Sequence, residues 1–266
     1  MMEQNLQQNT NPEAVPWTIS DIAKGALVAI GIMIVLAIII GICMVVLIGT
    51  TDIQDIAQQH LTQTEMMQKM LDALEANGNL NITLIILFAL MILGEAAIPL
   101  GAWLFSIRKY RCKWESLGFI KFDIKKGLLL AVIVTAVGIG ISIGYEALLK
   151  SQGRETSTDM YAFFTANNTG IALLAVTAVI VAPFAEETFF RGFMFQGIRK
   201  RIGFAWAAII SAALFALAHM SVEALVPIFL LGLMLAWLYY KTKSIWPCII
   251  VHAAYNSIAV ISMIKS

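Results

Sequence analysis

Seven apolar runs dominate the 266-residue chain, at 25–48, 80–106, 127–149, 169–198, 203–220, 225–240 and 245–264. Each is long enough, or nearly so, to cross a hydrocarbon layer of about 30 Å as a helix. The 225–240 run is the shortest. In lipid every backbone N–H and C=O must find its partner within the structure, which leaves helices and closed barrels as the spanning forms. No strand-length alternation between turn signals is present, and this sets a barrel aside. The sequence therefore predicts an all-α fold, a polytopic transmembrane helical bundle of about seven spans. Composition agrees, with 59% hydrophobic and 13% charged residues, against about half and a quarter in soluble domains.

The first run is too long for a signal-peptide core and lacks a compact basic start, so it reads as a retained helix. The Gln/Asn-rich residues before it, 1–24, read as a disordered tail. Lys and Arg set the orientation. Thirteen of the 18 basic residues fall on one side, in Lys24, the 108–126 segment, 199–201, Lys241 and Lys243. Lys69, Lys150, Arg154 and Lys265 fall opposite. The bias places the N-terminus in the cytoplasm and the C-terminus outside, with the plasma membrane as the expected location. The external 51–79 loop carries Met66, Met67, Met70, Leu71 and Leu74 at helical spacing, which predicts a short amphipathic helix packed on the bundle. His60 in that loop reads as a solvated residue.

The chain thus divides into the tail, N-terminal spans over 25–150, and a helical domain over 169–264. Cys43, Cys112 and Cys248 show no disulfide or ligand spacing. No basic cluster is interleaved with exposed aromatics, so no nucleic-acid partner is expected.

The stretch "APFAEETFFRG" (182–192) puts two glutamates and an arginine at membrane depth, where charges are expensive and usually have a use. Glu187 and Arg191 are four residues apart, share a helix face and can pair. Glu186 points about 100° away with no local basic partner, and is the free carboxylate. Pro183 cannot donate to the Val179 carbonyl and should bend the helix there.

His219 lies on the fifth run, His252 and Asn256 on the seventh. Counted from the cytoplasmic basic residues, Glu186 is about 21 Å along its helix and His219 about 25 Å, with His252 and Asn256 at about 12 and 18 Å. Three helices deliver polar side chains to the middle of the bilayer, which puts the predicted active site inside the membrane. Burial suits Glu186 to act as a general base. Phe215, four residues before His219, can wall the site and orient the imidazole. Glu95, near Pro99, either joins a charge network with Arg191 or lines a substrate path. Gly140 and Gly144 have the spacing of close helix packing. No GxSxG elbow surrounds Ser211, Ser221 or Ser257, which argues against a serine nucleophile.

"EETFFRG" (186–192), "FALAH" (215–219) and "HAAYN" (252–256) together resemble the EExxxR, FxxxH and HxxxN motifs of the CPBP family, the CAAX proteases and bacteriocin-processing enzymes (Abi family). The resemblance covers about 169–260, and "ESLGFIKFD" (115–123) is similar to a segment often found upstream. It implies an intramembrane endopeptidase of the type II CAAX prenyl endopeptidase kind, acting on a peptide or membrane-protein substrate. By that analogy Glu186 and His219 hold and activate a water, His252 and Asn256 stabilise the oxyanion, and Glu187 and Arg191 brace the site. No cofactor is expected. The alternative is zinc held by Glu186, His219 and His252, which fits the metalloendopeptidase label the family often carries. A non-proteolytic immunity or scaffold protein is the reading from a different class.

Overall fold

The computed structural model describes residues 15–153, 162–165 and 167–265. Arg154, which entered the charge count, lies outside them. All regular elements among the described residues are helical: α1 (Ile19–Ile48), α2 (Thr50–Gln58), α3 (Gln63–Ala76), α4 (Leu80–Trp103), α5 (Ile124–Ser151), α6 (Ala162–Thr165), α7 (Asn168–Val176), α8 (Ala182–Glu187), α9 (Gln196–Ala218), α10 (Leu225–Thr242) and α11 (Trp246–Lys265). Among the described residues, six helical stretches are long and apolar enough to span. The chain is an integral membrane protein. On α1, Ile30, Ile34, Ile38, Ile42 and Val46 form an exposed stripe at a spacing of four, as a lipid-facing surface should.

The six stretches still give seven apolar arms. One of them, Asn168–Ala218, runs for 51 residues and would be about 76 Å long if straight. Gly203, at φ 81° and ψ 179°, breaks it; that backbone conformation is open essentially to glycine alone. The chain then folds back, so that Ser211 Oγ donates to the Phe190 carbonyl at 3.1 Å. In a straight helix those two residues would stand about 31 Å apart.

The start of the fold corrects the expected tail. Helix α1 begins at Ile19, and Thr18 caps it in a reciprocal capping box with Asp21. Trp17 is buried, and its indole N–H donates to the Phe193 carbonyl at 2.9 Å. Lys200 reaches back to the Val15 carbonyl at 2.8 Å. Asp21, almost fully buried, accepts from Tyr110 at 2.7 Å and pairs with Lys109. That hydrogen bond holds the Lys109 ammonium above its ordinary pKa. Residues 15–24 are therefore part of the packed structure, while 1–14 lie outside the described residues. A Gln/Asn-rich composition says nothing of one tryptophan that finds a carbonyl.

The 51–79 segment is helical as expected, in two pieces. Leu71 and Leu74 of α3 pack on Met44 and Ile48 at the end of α1. Asn77 and Asn79 then donate to the Ile48 and Leu47 carbonyls, each at 2.7 Å, covering acceptors that a helix end leaves orphaned. The glycine expectation is corrected. A Cβ on Gly140 or Gly144 would meet nothing within 4 Å, whereas one on Gly138 would touch Met234 at 3.4 Å. Close approach within the bundle falls on a different glycine.

Candidate active site

The site is built on a helix with two irregular turns. Thr177–Val181 is π-helical, α8 follows, and Thr188–Phe195 is π-helical again. Such turns cluster at functional sites. The local cause is legible, since Pro183 has no N–H for the Val179 carbonyl. The Ala182 N–H bonds the Thr177 carbonyl, five residues back, and bypasses Ala178. The freed Ala178 carbonyl is taken by Asn256, whose Nδ2 donates at 2.7 Å. One of the two amide hydrogens of Asn256 is thus committed, and the other remains free to serve a ligand.

Glu187 and Arg191 form the expected pair, Oε1 to Nη1 at 2.9 Å, and both side chains are fully buried. The guanidinium also lies 4.2 Å from the Phe215 ring centroid and donates to the Gly232 carbonyl at 3.4 Å. Glu187 does more than the sequence predicted. Its Oε1 also accepts from His252 Nδ1 at 2.9 Å. A carboxylate can only accept here, so the proton sits on Nδ1 and Nε2 points away, toward Glu186. His219 is set the same way, because its Nδ1 bonds the Phe215 carbonyl at 2.8 Å and a carbonyl is an acceptor only. The Phe215 ring lies 4.8 Å from His219 and 5.6 Å from His252. It is a wall shared by both imidazoles, and its backbone orients one of them.

Both Nε2 atoms face Glu186 Oε2, each at 3.9 Å. That separation exceeds a direct hydrogen bond and suits a small molecule bridging the three. Glu186 Oε2 is buried without a hydrogen-bond partner in the protein. The side chain of His252 is 3% exposed and that of His219 30%, so the open side lies toward His219. His219 sits in the C-cap of α9, which ends at Ala218, and not within a continuing helix. Every sequence-predicted site residue is placed here: Glu186, His219 and His252 converge, Glu187, Arg191 and Phe215 support them, and Asn256 lies one turn beyond His252.

Glu95 does not reach the Arg191 network as one expectation had it. It lines an apolar cavity against Phe184 and Ala185, and its Oε2 is buried without a partner. The serines are accounted for by structural bonds: Ser211 donates across the fold-back to the Phe190 carbonyl, Ser257 donates to the Ala253 carbonyl within α11, and Ser221 accepts from the Ala224 N–H. Three features escaped sequence reasoning, the Ala178 carbonyl, the His252 bond to Glu187 and the Trp17 bond to Phe193. Pro183 was the available signal for the first; the other two had none.

The three motif segments that build this cluster lie within residues 168–258, which match the family model described as type II CAAX prenyl endopeptidase Rce1-like. Over this segment the chain is similar to the Rce1-like family. The chain is also 30% identical over 143 residues to YdiL of Bacillus subtilis (strain 168), a protein provisionally named as a membrane peptidase. That alignment takes in 48% of this chain and 59% of YdiL, so the chain spans about three-fifths of that relative. No solved structure matches the chain at a significant level. The matched segment contains both arms of the Gly203 hairpin, α10 and most of α11, and hence Glu186, Glu187, Arg191, Phe215, His219, His252 and Asn256.

Proposed function

We propose that the protein is an intramembrane endopeptidase in which Glu186 activates a water against a peptide bond, with 169–264 as the catalytic unit. The observation that carries this reading is the symmetric placement of Glu186 Oε2 at 3.9 Å from the Nε2 atoms of His219 and His252. A water among them donates to Glu186 and to the Nε2 lone pair of His219. Attack on the carbonyl carbon moves one proton of the water to Glu186, which passes it to the leaving amine as the tetrahedral intermediate collapses and the C–N bond breaks. Before that collapse, negative charge builds on the carbonyl oxygen. It is met by the uncommitted N–H of Asn256 and by His252 when its Nε2 carries a proton, the Glu187 carboxylate facing the resulting positive charge. Donors held in place before the reaction are the effective ones.

Both imidazoles donate Nδ1–H to a fixed acceptor, an arrangement that also serves zinc ligands. Among the described residues no group of three His, Cys, Asp or Glu side chains is disposed to hold a metal ion. Elemental analysis of the active, purified protein, with turnover followed through exhaustive chelation, tests the difference. The expected result is activity that survives chelation. Stoichiometric zinc whose removal abolishes turnover, and whose return restores it, would make Glu186, His219 and His252 ligands.

Asn256→Asp keeps shape but sets a carboxylate against the Ala178 carbonyl and the developing oxyanion. It should lower kcat by about 10²–10³-fold, the usual effect of losing one oxyanion donor. Near-normal turnover would take Asn256 out of the mechanism.

The substrate class is tested by comparing membrane and secreted peptides from cells carrying the wild type or Glu186→Gln. Products present only with the wild type are expected; identical peptide sets would count against the peptidase reading.

The basic-residue bias supports a cytoplasmic N-terminus. In a background without native cysteines, a cysteine at position 60 should label from outside intact cells. One at position 112 or 124 should label only after permeabilisation. The reverse pattern inverts the topology.

A further inference from the structure

Between α4, the Thr177–Glu187 stretch and α11 lies a cavity of about 570 Å³, walled by Ile92, Pro99, Ile180, Phe184 and Trp246, with Glu95 as its one ionisable side chain. Ile180 is 64% exposed and Phe184 and Trp246 are about two-fifths exposed, so the cavity opens on the lipid-facing surface. At its inner end it meets the site, because Phe184 and Ala185 of its wall directly precede Glu186. Arg191 does not balance Glu95 and Glu186, since its guanidinium is engaged by Glu187 and the Gly232 carbonyl. Glu186 and Glu187 therefore share one guanidinium and two imidazoles, and Glu95 adds a third carboxyl with no ion pair among the described residues. An ionisable side chain at membrane depth ordinarily has a partner or a task, and Glu95 Oε2 is bonded to nothing among the described residues.

We propose that this cavity is a specificity subsite for the substrate segment beside the cleaved bond, and that Glu95 selects an apolar, membrane-embedded segment carrying a lysine or arginine side chain. The inference rests on the peptidase reading and deepens it. Apolar walls take the body of the segment. Glu95 takes its cation, which complements the excess of carboxylates at the inner end. A lysine in an apolar segment is costly in lipid, so pairing with Glu95 draws such a segment out of the bilayer and toward Glu186.

The test uses synthetic membrane-spanning peptides in phosphatidylcholine vesicles, identical except for lysine or norleucine scanned along the apolar stretch. The wild type should cleave one lysine register with a kcat/KM about tenfold above its norleucine twin, in line with a charge-assisted hydrogen bond. In Glu95→Gln, which keeps the side-chain shape, that ratio should fall to within about twofold. A ratio near one in the wild type overturns the proposal, even should Glu95→Gln fail to fold. So does a ratio that Glu95→Gln leaves intact.

A second measurement needs no turnover. Ile180→Cys, in a background without native cysteines, is oxidatively crosslinked to a cysteine placed beside the lysine or norleucine of the peptide. Preferential capture of the lysine peptide, lost in Glu95→Gln, upholds the subsite even where no peptide is cut; in that case the peptidase reading falls alone. Equal capture of both peptides overturns the subsite.

Discussion

Glu186→Gln is expected to abolish most turnover and leave the fold intact, with kcat lower by about 10²–10⁴-fold, the usual contribution of a positioned general base. The separation of the two effects follows from the partners. Glu186 Oε2 makes no hydrogen bond within the protein, so the amide replaces no native contact. The two imidazole nitrogens that face it, each at 3.9 Å, are too far away for direct bonding. The melting temperature in detergent should move by less than about 2 °C, below the shift that about 1 kcal/mol produces in a chain of this size. Glutamine cannot take a proton from water, and that is the one property the variant lacks. Cleavage at the wild-type rate would remove Glu186 from the chemistry. A collapsed melting temperature would make it a structural residue.

Much of this arrangement is legible in the chain, because the constraints that shape it are local. Apolar run length gives the spans, and an i, i+4 spacing gives the Glu187–Arg191 pair. Counting rise per residue brings Glu186, His219 and His252 to one level without any knowledge of how the helices pack. What could not be read depends on contacts across the sequence. The bond from His252 to Glu187 joins residues 65 apart, and no spacing rule connects them. Trp17 and Phe193 are 176 apart. The π-helical turn was half legible: Pro183 predicts a freed carbonyl near Val179, but bonding passes over Ala178, and only the packing of α11 shows that Asn256 takes it. Gly203 was half legible: Arg199, Lys200 and Arg201 separate two apolar runs, but nothing in the sequence marks the φ at which the chain turns. Gly140 and Gly144 misled for a related reason, since a spacing of four defines a helix face without saying which face meets a neighbour.

Glu187→Ala should damage the protein in two separable ways. The first is stability. Arg191 is fully buried and pairs with this carboxylate at 2.9 Å, and removing one partner of a buried ion pair costs about 3–5 kcal/mol. At about 2–4 °C per kcal/mol, the melting temperature should fall on the order of 10 °C. The second is orientation. Glu187 Oε1 fixes the His252 proton on Nδ1, and without it the ring is free to present the other tautomer toward Glu186. The double variant Glu187→Ala with Arg191→Leu tells the two apart. Replacing both members of a buried pair by apolar groups is often neutral or even stabilising, so the melting temperature should recover most of its loss. Turnover should not recover, because His252 still lacks its carboxylate. Recovery of both would reduce Glu187 to a counterion for Arg191. Recovery of stability alone would establish it as the group that positions His252, and would give the second glutamate of "EETFFRG" a part in the reaction that its spacing from Arg191 does not reveal.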